Sequence, residues 1–105
     1  MIKVSIFYPN KPGSRFDLDY YLNRHMPMAI EAFGEALRGV TVEHGLTGET
    51  PETPPLYVAM CHFLFDSVES FMSAFMPHAA ALQGDIPNYT DVEAGIQISE
   101  VKLSR

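Results

Sequence analysis

The run Leu56-Tyr57-Val58-Ala59-Met60-Cys61-His62-Phe63-Leu64-Phe65 constrains this chain more than any other stretch. Read as a strand, it sets Leu56, Val58, Met60 and Leu64 on one side and Tyr57, Ala59, Cys61, Phe63 and Phe65 on the other. A sheet with one wet face would alternate apolar with polar, so both faces of this strand need cover. The run is too short to cross a bilayer, and Asp66 follows it at once. With 105 residues the chain has the size of one domain, expected to span residues 1–105.

The flanking patterns supply the partners. Ile2, Val4, Ile6 and Tyr8 alternate with Lys3, Ser5 and Phe7, the period of a strand, which Pro9-Asn10-Lys11-Pro12-Gly13 ends. Asp17 is a predicted N-cap for a helix whose apolar stripe is Leu18, Tyr21, Leu22, His25, Ala29 and Phe33. Gly34 and Gly39 are plausible terminators, Val40 and Val42 begin a second strand, and Gly45 to Pro55 reads as a loop. A second helix is expected to open on Asp66, capped by its carboxylate with Glu69 completing a capping box. Its face is Val68, Phe71, Met72, Phe75, Ala79 and Leu82; Gly84-Asp85-Ile86-Pro87-Asn88 breaks it, and Ile96 to Leu103 forms a last strand.

The order is therefore βαββαβ, and the fold class it predicts is α+β: a ferredoxin-like four-stranded antiparallel sheet with both helices on one face. That leaves the second face of the apolar strand bare. The simplest cover is the same face of another copy, so a homodimer closing under twofold symmetry is expected.

Composition narrows the partners further. Apolar residues are 47% and charged residues 19% of the chain, the balance of an ordinary globular protein. A formal charge of −6 with scattered Lys and Arg gives phosphate backbones nothing to hold, so no nucleic acid partner is expected. Neither a signal peptide nor a membrane span is visible, and a cytoplasmic location with no membrane contact is expected. The single cysteine, Cys61, reads as a small buried hydrophobe.

Each helix carries a proline, Pro27 and Pro77, where a regular helix would lose about 3 kcal/mol. Both helices should bend or restart there, and His25 and His78 flank the breaks. His25 lies on the apolar stripe, where an imaginable role is moving a proton near neutral pH; the plainer one is satisfying the carbonyl that Pro27 leaves unpaired. His78 faces either a pocket or solvent, while His44 and His62 carry no motif. Between Gly84 and Asp91 polar side chains gather ahead of the last strand; local turn bonds account for Asp85 and Asn88, whereas Tyr89 and Asp91 could orient a carbonyl substrate or a histidine. The predicted catalytic set is His25, His78, Tyr89 and Asp91, with Tyr21, Phe75 and Asp85 as substrate contacts. No metal-ligand spacing, glycine-rich phosphate loop or nucleophile elbow is present, so neither a metal nor a nucleotide cofactor is expected.

Tyr21-Leu22-Asn23-Arg24-His25-Met26-Pro27, Pro77-His78 and Ile86-Pro87-Asn88-Tyr89-Thr90-Asp91 together resemble the EthD-like family, named for ethyl tert-butyl ether degradation, over nearly the whole chain. The resemblance implies a dimeric α+β barrel in which two ferredoxin-like sheets pack face to face, and weight for His25, Pro77, His78, Tyr89 and Asp91. It implies no established reaction. Relatives of that barrel include cofactor-free monooxygenases, lactone isomerases, polyketide cyclases and haem proteins, and fold does not choose among them. The expected function is a small cofactor-free enzyme using histidine acid/base chemistry on a small hydrophobic ligand. The alternatives are a non-catalytic binding protein for an apolar compound, and haem or metal binding through His25 or His78.

Overall fold

A computed structural model describes residues 1–105. Strands β1 (Ile2–Pro9), β2 (Gly39–His44), β3 (Tyr57–Phe65) and β4 (Gly95–Glu100) form one sheet in the order β2-β3-β1-β4, every pairing antiparallel. Between β1 and β2 run α1 (Leu18–Tyr20), a π-helical turn (Tyr21–His25), α2 (Met26–Phe33) and a 3₁₀ turn (Gly34–Ala36). Between β3 and β4 run α3 (Val68–Phe75), a 3₁₀ turn (Met76–His78), α4 (Ala79–Asp85) and a further 3₁₀ turn (Ile86–Asn88). This is the ferredoxin-like α+β arrangement that the patterning predicts.

Register puts Val4 opposite Phe63 and Ile98, Ile6 opposite Cys61 and Ile96, and Val40 and Val42 opposite Phe63 and Cys61. These residues share the face that the helices cover, where Val4, Ala59, Cys61, Phe63 and Phe65 are buried. Phe33 and Phe71 come down from the helices onto Phe65 at 5.3 and 5.2 Å between ring centroids. Edge and tilted packing of this kind adds about 0.5–1.5 kcal/mol per pair beyond burial. The cover stops short of β4: Ile96 points to the helical side yet is 67% exposed.

The other face is bare in the single chain. Phe7, Met60, Leu64, Lys3 and Glu43 stand on it, with His62 between Ser5 (Oγ to Nδ1, 2.7 Å) and Glu43 (Oε1 to Nε2, 3.1 Å). No helix is long and apolar enough to cross a membrane.

Asp17 caps α1 as expected, accepting a hydrogen bond from the Tyr20 N–H. Asp66 does not cap the second helical segment. Ser67, in extended conformation, accepts from the Ser70 N–H at 3.0 Å instead, while Asp66 turns aside to the Arg38 guanidinium. Either residue could serve by composition; the cation brought in just ahead of β2 decides it. Glu69 keeps a place in the first turn, where its charge favours the helix N-terminus.

Both prolines act as expected, by different means. Before Pro27 the backbone widens by one residue, the Met26 N–H donating to the Tyr21 carbonyl, and α2 restarts with Pro27 in its first turn. Pro77 instead tightens the chain into the 3₁₀ turn that separates α3 from α4.

Ser67→Ala is expected to lower unfolding stability by about 1 kcal/mol, whereas Asp66→Ala, which breaks only an exposed ion pair, should leave the urea midpoint nearly unchanged. The reverse ranking in urea denaturation would return the cap to Asp66.

Candidate functional site

The helical layer and the sheet flank a partly open cavity of about 280 Å³, lined by 18 residues of which 16 are hydrophobic. Val4, Ile6 and Tyr8 form its floor from β1, Ile96 its β4 side, and Met26, Ala29, Phe71, Phe75 and Leu82 its helical roof. Apart from the phenols of Tyr8, Tyr21 and Tyr89, the polar side chains on its wall are His25 and Gln83.

His25 is 8% exposed and closes the π turn, on the apolar stripe it shares with Tyr21, Ala29 and Phe33. Tyr21 and His25, four residues apart and so on the same inward side, have rings stacked at 5.6 Å and 14°. Tyr89 closes on the imidazole at 4.7 Å between centroids and holds its own hydroxyl 2.9 Å from that of Tyr8. Burial pushes the Tyr8, Tyr21 and Tyr89 phenols above their ordinary value, so all three stay protonated around the ring.

The partner of His25 is Asp85, with Oδ2 2.9 Å from Nδ1. The same carboxylate accepts from the Tyr20 hydroxyl at 2.6 Å and the Asn88 amide at 2.9 Å, both on Oδ1. Partial burial raises the Asp85 carboxyl, but the hydrogen bonds from Tyr20, Asn88 and His25 outweigh it and hold the group below the usual carboxylate value. An ionised carboxylate can only accept, so Nδ1 carries the donated proton, and in the neutral ring the lone pair is then on Nε2. No protein group bonds Nε2, and no buried nitrogen or oxygen lacks a partner, so this atom is accessible on the cavity wall.

The segment carrying Asp85 and Tyr89 is fastened to the chain ahead of α1. Asp17 N–H donates to the Tyr89 carbonyl (2.7 Å), Thr90 Oγ1 to the Arg15 carbonyl (2.7 Å), and the Arg15 guanidinium to the Pro87 carbonyl (2.6 Å). Asp91 belongs to this fastening. It is exposed and accepts from the Arg15 backbone N–H at 2.8 Å, so it does not orient His25. That task falls to Asp85, which acts on the imidazole rather than standing on the cavity wall as a substrate contact. Tyr89 orients the ring by packing, its hydroxyl being engaged with Tyr8.

Tyr21 and Phe75 line the cavity as expected, but His78 lies exposed on its 3₁₀ turn, outside the lining. His25 does not answer to the carbonyl freed by Pro27; the π turn absorbs that mismatch in the backbone. Four participants escaped the sequence reading: Tyr8, Tyr20, Asn88 and Gln83. Tyr8 had a signal, a hydroxyl at the end of an apolar strand face that burial would oblige to find a partner. No group of three or more His, Cys, Asp or Glu side chains converges anywhere, so a metal or haem iron would find only the single Nε2 of His25 here.

The fold and this walled imidazole define a ferredoxin-like α+β domain with its polar centre between helices and sheet. The EthD domain profile matches residues 14–93, and the chain belongs to the EthD family. It is similar, at 49% identity and a TM-score of 0.94, to the crystal structure of an EthD-like protein from Ralstonia eutropha, over 99% of this chain and 94% of that one. An EthD family protein from Bacillus halodurans is similar at 20% identity and TM-score 0.62, over 90% of this chain and 96% of that one. A mutant of SnoaB, a cofactor-independent oxygenase from Streptomyces nogalater, shares the fold at 14% identity and TM-score 0.53, covering 98% and 93% of the two chains. Comparison with curated proteins gives no significant match.

Because its carboxyl is lowered in the fold, Asp85 adds stability that is complete above the ordinary value of 3.8 and is lost as pH falls through its folded value. The stability gap between wild type and Asp85→Asn, read by urea denaturation, is therefore expected to be full above 3.8 and to narrow as pH falls from there through the folded value. A gap that is the same at both ends of that range would mean the Asp85 charge is not held by these donors.

Proposed function

We propose that this protein is a small enzyme in which His25 moves a proton to or from a hydrophobic, carbonyl-bearing or phenolic compound. The observation that carries this reading is the 2.9 Å contact between Asp85 and His25 Nδ1 on the wall of an otherwise apolar cavity. A C–H or O–H bond of the compound breaks, the proton goes to Nε2, and the electron pair stays on the carbon or oxygen it left. The imidazolium so formed is stabilised by Asp85, which Tyr20 and Asn88 keep in place. Apolar walls strengthen that attraction by excluding water. The step asks for no group beyond the side chains present.

The rival reading is a carrier that sequesters an apolar compound for a partner enzyme, supported by the same apolar wall. Exchange of an enolisable proton separates the two. With 2-tetralone in D₂O, NMR is expected to show protein-catalysed exchange that His25→Gln reduces by about a hundredfold or more. Undiminished exchange removes His25 from the chemistry, and binding without any exchange in the wild type favours the carrier.

The working unit in this reading is a homodimer joined through the bare sheet face. Phe7, Met60 and Leu64 give that face an apolar middle, and its charged residues, Lys3 and Glu43, are of opposite sign, so a twofold contact can be self-complementary. Sedimentation equilibrium should find a dimer for the wild type and a shift to single subunits for Leu64→Asp. A stable single subunit at every loading of the wild type overturns the assembly.

A further inference from the structure

The cavity wall is selective in its polarity. Its non-hydrophobic members are His25 and Gln83, and no Lys, Arg, Asp or Glu side chain lines it. The charge nearest the imidazole is the Asp85 carboxylate, already occupied by Tyr20, Asn88 and His25. An anionic ligand would therefore give up its hydration in an apolar space, next to a negative charge and with no Lys or Arg on the wall to pair. A neutral ligand meets no such cost.

Gln83 stands on α4, two residues before Asp85. Its side chain is exposed and makes no hydrogen bond to any other group of the protein, although it reaches the cavity wall. A primary amide there offers both donors and an acceptor without bringing charge. A glutamate would add a second anion near Asp85 and at the helix C-terminus, where negative charge is unfavourable.

We infer that Gln83 is a specificity-determining contact of this site, and that the ligand is a neutral, oxygen-bearing ring compound, discriminated from its anionic counterparts. This rests on the cavity being the site whose proton chemistry His25 performs, and it names the class of compound admitted there. Gln83 holds an oxygen of the ligand, and the apolar floor holds the ring. The cavity, just below the usual range for ligand sites, fits a compact ligand rather than a long chain.

Equilibrium dialysis of the full chain at pH 7 against 1-naphthol, naphthalene and 1-naphthoate tests the inference by binding alone. Wild type is expected to bind 1-naphthol more than about tenfold tighter than 1-naphthoate. Gln83→Leu should weaken 1-naphthol by about five- to tenfold, the worth of one hydrogen bond, and leave naphthalene unchanged. His25→Gln should keep the discrimination against 1-naphthoate, so loss of proton exchange in that variant and failure of the Gln83 inference are read separately. Equal binding of 1-naphthol and 1-naphthoate, a Gln83→Leu effect equal for 1-naphthol and naphthalene, or no binding of any probe overturns it. Tighter binding of trimethylphenylammonium than of 1-naphthol overturns it too, because the aromatic wall would then be acting as a cation cage.

Discussion

Asp85 is where the two halves of the helical layer meet, and the site depends on its carboxylate being ionised. Two of its donors, Tyr20 and His25, come from the first helical segment, while Asn88 follows α4 in the second. A carboxylate between packed segments is costly when unpaired and stabilising when hydrogen-bonded. Removing any one donor exposes the cost of the rest, so the clasp fixes the distance between the segments as well as the tautomer of His25. Tyr20 is held protonated by the bond it donates to Asp85, which keeps this donor in place.

The irregular backbone serves the same end. A straight helix through Tyr21–His25 would meet Pro27 with a missing donor and a ring clash worth about 3 kcal/mol. The π turn eases the conflict by inserting a residue, while Tyr21 and His25, four apart, stay stacked on the buried side. Arg15, Asp17 and Thr90 then tie the chain after α4 to the chain before α1, leaving Asp85 little freedom to withdraw. Strain avoided in one segment becomes positioning in the other.

How much of this was legible follows from the range of each signal. Alternation along β1 and the two-faced run of β3 specify which residues share a face, because the period of 2 is a local property, and βαββαβ order leaves few ways to assemble them. His25 was legible because a polar ring on an apolar stripe must find a partner. Which partner was not: Asp85 lies 60 positions away, and its turn-like neighbours gave it a local explanation that the structure keeps only in part, through Asn88. Asp91 drew attention by standing beside Tyr89, yet a backbone bridge between Phe16 and Thr90 sends its carboxylate outward to Arg15. Adjacent residues in an irregular segment point in directions set by distant pairings, which local periodicity does not encode.

The sheet divides its labour between its faces. On the helical side, β1 and β3 give a floor that is apolar except for the Tyr8 hydroxyl, which is consumed by Tyr89. A floor without free polar groups cannot compete with His25 for a ligand proton or with Gln83 for a ligand oxygen. On the opposite side, Ser5, His62 and Glu43 satisfy one another among Phe7, Met60 and Leu64. A polar group that carries its own partners can be covered without leaving an unpaired donor behind. Covering the bare face would thus cost less than it would with an isolated histidine, and its chemistry stays separate from that of the cavity on the other side of the same strands.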